Sequence, residues 1–92
     1  MRFPDEVTQD ALNRLRRAEG QIRGVQRLLD EGADCKAVIT QISAAQAALH
    51  RAGVRLMAAG MRECLANPGG SADGDGDSMT IESMEDLFLT LR

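Results

Sequence analysis

Leu12, Leu15, Ala18, Ile22, Val25 and Leu29 recur at spacings of three and four, the period of a helix with one apolar face. Mostly polar residues fill the positions between them, so the stripe predicts a first helix over about 4–31 that turns this face to a core. Pro4 suits the first turn, Asp5 and Glu6 complement the positive end of the dipole, and Glu31-Gly32 breaks the pattern. Gly20 and Gly24 stand one turn apart inside this helix. Each costs about 1 kcal/mol relative to alanine, which predicts that another backbone packs closely there. A longer series, Val38, Ile39, Ile42, Ala45, Leu49, Leu56 and Met57, predicts a buried stripe on a second helix over about 34–66, with Asp34 as its cap. Gly53 and Gly60 read as room for two long helices to approach each other. Asn67-Pro68-Gly69-Gly70 stops the second helix. Beyond an acidic Gly/Asp linker over 67–79, Thr80 caps a short third helix over about 80–91, whose Ile81, Met84, Phe88 and Leu91 form a docking stripe. The pattern predicts one all-α domain over 1–92: an antiparallel helical hairpin with a short third helix as cover.

Composition adds a size limit. A chain of 92 residues with no Trp, no Tyr and two Phe builds only a small core, which favours oligomerisation. No apolar run approaches the roughly 20 residues of a membrane helix and no secretory pattern opens the chain, so a cytoplasmic location is expected. Thiols are kept reduced there, and a cysteine pair more often senses, catalyses or binds metal than staples a fold. The net charge of −3 hides an asymmetry, because Arg14, Arg16, Arg17, Arg23 and Arg27 face Glu19 alone between Ala11 and Leu29. Such a run is either a solvated helix surface or a phosphate-binding one, and the planar fork of arginine suits phosphate. Asp73, Asp75 and Asp77 alternate like the opening of a calcium loop. Ser78 stands where that loop needs glycine and Met84 where it needs glutamate, so an acidic linker is the better reading.

The two cysteines, Cys35 and Cys64, fall near opposite ends of the predicted second helix. Twenty-nine residues at about 100° each bring Cys64 back to within about 20° of Cys35, on one face, yet about 43 Å away. A disulfide needs Cα atoms within about 7 Å, so the two thiols cannot join inside one chain. They can meet through a second copy. If two such helices pack antiparallel about a two-fold axis, the crossing falls near Leu49 and His50, and each Cys35 lands beside the other chain's Cys64. That geometry gives two equivalent two-thiol sites per dimer. No paired base or oxyanion-forming glycine loop accompanies the thiols, so an enzyme is not expected.

Asn13-Arg14-Leu15-Arg16-Arg17-Ala18-Glu19-Gly20-Gln21-Ile22-Arg23-Gly24-Val25, followed by Cys35, Gln41-Ile42-Ser43-Ala44 and Cys64, resembles the copper- and nickel-sensing repressor family (CsoR/RcnR). The likeness runs from about Asp10 to Leu65. It implies an all-helical protomer in a disc-shaped dimer of dimers, a homotetramer that represses by binding operator DNA without a helix-turn-helix. It also implies DNA-binding roles for Arg14 and Arg51, with Arg16 and Arg17 extending the basic surface.

The departures from that family bear on the inducer. Copper sensors of the family carry Cys-x24-His-x3-Cys, with the first cysteine from one protomer and the rest from its neighbour. The counterparts here are Cys35, Gly60 and Cys64, and glycine supplies no ligand. Nickel and cobalt sensors add an amino-terminal histidine, whereas the single histidine, His50, lies mid-helix and reads as interfacial or solvent-facing. The formaldehyde-responsive branch pairs its first cysteine with an amino-terminal proline, and Met1-Arg2-Phe3 precede Pro4. A cysteine pair without the histidine resembles the persulfide-responsive (CstR-like) branch. That resemblance implies that Cys35 takes the outer sulfur of a low-molecular-weight persulfide or polysulfide. Cys64 of the neighbouring chain then resolves it into a di-, tri- or tetrasulfide bridge, with no cofactor. The alternative is copper(I) held by Cys35 and Cys64 of two chains, since soft thiolates favour that ion.

Overall fold

The computed structural model of the chain describes residues 1–66 and 80–91. Three helices account for nearly all of it: α1 over Asp5–Asp30, α2 over Cys35–Ala66 and α3 over Ile81–Leu91. No strand occurs among the described residues, so the chain is all-α, as its periodicity predicts. Pro4 sits one residue before α1 with φ −58° and ψ 154° rather than inside its first turn. The linker and its calcium-loop likeness lie outside the described residues.

The turn between α1 and α2 is closed by backbone hydrogen bonds. Gly32 adopts φ 69°; its N–H donates to Leu29 O at 3.1 Å, and the Ala33 N–H donates to Leu28 O at 2.9 Å. This is a Schellman ending, in which a left-handed residue lets two orphan carbonyls be satisfied, and glycine takes that conformation without a Cβ penalty. Asp34 then caps α2, its Oδ1 accepting from the Ala37 N–H at 3.3 Å. Thr80 does the same for α3, accepting from the Ser83 N–H at 3.1 Å.

Of the stripes predicted above, α1 and α2 bury Ala18, Val38 and Ala45 but leave several of the larger members exposed. The buried residues are small: Ala11, Ala18 and Gly24 on α1, and Val38, Ala45, Ala52 and Ala59 on α2. Each α2 position is seven after the last, the repeat of a supercoiled pair, and alanine at the seam lets two backbones lie close. The larger aliphatics remain outside. Leu15 is 36 % exposed, Ile22 47 %, Leu29 61 %, Ile39 54 % and Leu49 51 %. The α1 stripe thus straddles the seam: Ala18 is buried and Leu12 and Val25 half-buried, while Leu15, Ile22 and Leu29 are pushed to its exposed flank because small seam residues set the contact.

Two glycine expectations change as well. At Gly20 no atom lies within 4 Å of where a Cβ would stand, so nothing packs on it within the protomer. At Gly24 the neighbour is a side chain, with Gln41 Nε2 3.0 Å from that position. Gly53 and Gly60 admit α3 rather than another long helix: Leu91 Cδ1 would lie 2.8 Å and Met84 Cε 2.6 Å from a Cβ there. Within the protomer, side-chain knobs from the cover helix fill these two notches, so a second α2 meets this face only beside α3.

Candidate functional site

Cys35 is the first residue of α2 and exposed, whereas Cys64 lies in its last turn and is buried. The helix between them is unbroken over 32 residues, about 48 Å at the usual rise, and the protomer's longest dimension is 53 Å. One chain therefore presents its two thiols at opposite ends. His50 is exposed midway along the same helix, far from either. Among the described residues no group of three or more His, Cys, Asp or Glu side chains comes together in a way that could hold a metal ion. The site read from the sequence is not assembled within a protomer.

The two ends differ chemically. Around Cys35, Asp34 and Lys36 lie near the surface, and the Asp34 carboxylate is engaged at the helix start, so the thiol faces water beside a capped amide end. Cys64 shares its face with Gly60, one turn earlier, which is covered by Met84 and approached by Phe3. A thiol open to solvent and a buried thiol suit an entering group and a receiving one.

The arginines lie along the hairpin's outside. Asp10 and Ala11 line one cleft with Arg55 and Leu56, and Gln21 bonds to Gln41 further along, a register that sets Arg14 and Arg51 at one level on adjacent helices. Arg14 Nε is 3.1 Å from Asp10 Oδ2, and Arg16 donates to Asn13 Oδ1 at 3.2 Å. Arg17 and Arg51 are exposed, and no ion pair engages either among the described residues. An exposed pair with an i,i+4 neighbour is worth only a few tenths of a kcal/mol, so Asp10 holds Arg14 in place at little cost to releasing it.

Sequence reasoning missed the Gln21–Gln41 bridge. Gln41 Nε2 donates to Gln21 Oε1 at 2.9 Å and to the Gln21 carbonyl at 3.2 Å, crossing the hairpin over Gly24. Arg17 and Arg27 flank that crossing in a shallow polar depression. The signal available was a pair of glutamines opposite a glycine, legible only once the register of the hairpin is known.

A family profile described as metal-sensitive transcriptional repressor matches residues 7–91. The chain is 34 % identical over 84 residues to the copper-sensing transcriptional repressor CsoR of Bacillus subtilis, covering 91 % of this chain and 76 % of that one. It is 42 % identical over 65 residues to the copper-sensing transcriptional repressor RicR of Mycobacterium tuberculosis, covering 66 % and 68 %. The copper-sensing transcriptional repressor CsoR of the same bacterium is 36 % identical over 80 residues, covering 87 % of this chain and 66 % of that one.

Proposed function

The chain belongs to the family of metal-sensitive transcriptional repressors, and on that premise we propose that it binds operator DNA and releases it when Cu(I) joins Cys35 of one protomer to Cys64 of another. One observation carries this reading: the only two thiols stand at opposite ends of a single unbroken helix, so each needs a second copy to complete a site. Soft thiolates at low coordination number suit Cu(I), whereas structural zinc takes four ligands. The names of the relatives support the same ion. When bound, Cu(I) supplies a link between protomers; the chain itself does the rest. Cys35 offers an accessible sulfur, Cys64 a buried one, and two antiparallel copies of α2 bring one to the other. The exposed Leu15, Ile22, Ile39 and Leu49 support assembly into the disc-shaped homotetramer, a dimer of dimers. As a regulator of transcription it works in the cytoplasm.

Repression is the task of Arg14, Arg16, Arg17 and Arg51, which present a basic surface to phosphates. Arg14→Ala and Arg51→Ala are each expected to weaken binding of a selected operator duplex at every salt concentration and to lower the salt slope by about one, while circular dichroism stays unchanged. An unaltered slope in both would remove the arginines from the interface. Inducer release follows if the linked assembly binds DNA more weakly than the free one, a coupling of about 1–3 kcal/mol, or roughly 5- to 150-fold in affinity.

A second reading is favoured by the donor count, since two thiols with no third His, Cys, Asp or Glu beside them among the described residues are enough for sulfur chemistry. In this CstR-like reading a Cys35 thiolate attacks the outer sulfur of a low-molecular-weight persulfide, and the parent thiolate leaves. The Cys64 thiolate of a second copy then attacks the Cys35 sulfur, expelling hydrosulfide and leaving a disulfide; two such persulfides condense to a trisulfide with loss of hydrogen sulfide. Titrating the reduced protein on its operator separates the two. Under the Cu(I) reading, about one equivalent of Cu(I) per thiol pair dissociates the complex and a persulfide donor leaves it bound. The reverse result, with a dimer carrying sulfur mass increments, makes the persulfide reading correct.

A further inference from the structure

The Cu(I) reading leaves the ion with two donors, and a buried methionine packs on Gly60, one turn before Cys64. Met84 is the one buried residue of α3, at 3 % exposure. Its side chain lies directly against α2 at Gly60. A Cβ on Gly60 would stand 2.6 Å from Met84 Cε and 3.5 Å from Met84 Sδ, so the absent side chain is what lets the thioether reach the helix surface. Gly60 and Cys64 are both buried and four residues apart, hence neighbours on one face with Cβ positions about 5–6 Å from each other. The thioether sulfur therefore packs at the Gly60 position, one turn before the buried thiol on the face that Gly60 and Cys64 share. The surroundings are apolar and rich in sulfur. Met57 and Met84 line a cavity of about 280 Å³ with Gly60, Phe3 and Leu87, and Met57, Met61 and Met84 line another of about 440 Å³ under α3.

We propose that the Met84 thioether is the third soft donor for Cu(I), completing a three-sulfur site with Cys64 and with Cys35 of a second copy. This rests on the Cu(I) reading of the function. A thioether is neutral, polarisable and selective for soft ions, so it completes the coordination without adding a charge to a dry pocket. It also makes α3 part of the site. The helix that seats Leu91 and Met84 in the two glycine notches of α2 then carries the ligand state along its length.

Methionine also fills irregular core space, and leucine fills nearly the same volume without sulfur, so Met84→Leu separates packing from ligation. The experiment is X-ray absorption on the full-length, selenomethionine-labelled assembly loaded with Cu(I). A copper–selenium contact is expected in the parent and is lost in Met84→Leu. That variant keeps its helicity and unfolding temperature and loses at least about tenfold in Cu(I) affinity against a competing chelator, the scale on which partners of a metal site act. If Met84→Leu does not fold, Met57→Leu/Met61→Leu serves instead, and the copper–selenium contact must survive in it. Copper bound by sulfur with no selenium contact, or a contact that persists in Met84→Leu, overturns the role of Met84 and leaves the Cu(I) reading standing. A parent protein that binds no Cu(I) overturns both.

Discussion

Cys64→Ser is expected to bind operator DNA as tightly as the parent when reduced and to remain bound at inducer concentrations that release the parent completely. The hydroxyl is a hard donor and a poor nucleophile beside a thiolate, so it neither holds Cu(I) nor resolves a persulfide. The parent's affinity should fall by roughly 5- to 150-fold on induction, and the variant's should not change. Because Cys64 is buried, replacing it can also act on stability, so Cys64→Ala and a thermal unfolding curve serve as controls. Cys35 is exposed, and Cys35→Ser should lose the response at little cost in stability. Mixing the two variants is the more telling arm. A mixed dimer pairs the intact Cys35 of one chain with the intact Cys64 of the other and regains one of its two sites. A site within a single chain could not be restored this way, so absence of complementation after subunit exchange would refute the inter-protomer arrangement.

The separation of the thiols is legible in the sequence because a helix is a ruler: spacing along it fixes both angle and distance, and Cys35 and Cys64 are governed by that alone. The caps are legible for a similar reason, since Asp34 and Thr80 act on amides three residues away. What the pattern misassigns is which members of the apolar stripes the hairpin buries. Ala18 and Ala45 are buried as their stripes predict, yet Leu15, Ile22 and Leu29 of the same α1 stripe stay exposed while Ala11, Ala52 and Ala59, outside the predicted stripes, complete the seam. Hydrophobicity ranks leucine above alanine, but close helix pairing selects for small size, and a stripe does not say whether its cover comes from the same chain. The glycines are misread for a related reason. Gly53 and Gly60 do mark close approach, but what approaches depends on where α3 returns, and no local rule carries that across the linker. Met84 and Leu91 dock on α2 as their stripe predicts, whereas Ile81 and Phe88 of the same stripe stay exposed; that the Met84 sulfur packs on Gly60 depends on the register of α3 on α2, which no spacing within α3 encodes.

Leu49→Glu is expected to reduce the assembly to single protomers. Leu49 lies at the midpoint of α2, within about 40° of the cysteine face and 51 % exposed in the isolated chain. It is therefore where a two-fold axis between antiparallel copies would cross. At such an axis each residue meets its own image, so the substitution removes two leucine contacts, about 1.5–3 kcal/mol each, and sets two carboxylates against one another out of water. Sedimentation velocity should show the loss of higher species. Unfolding should occur at lower temperature, because the protomer's own core holds five alanines, one valine, Cys64 and Met84 and buries little on its own. For the parent, the unfolding temperature should rise with protein concentration, as it does when folding and association are linked; for the variant it should not. Leu49→Ala removes the contact without the charge and should weaken the assembly without abolishing it. An unchanged sedimentation profile in Leu49→Glu would place the two-fold axis elsewhere. In that case Cys35 and Cys64 of different chains would need another route to each other, since the geometry that pairs them depends on the crossing lying midway between residues 35 and 64.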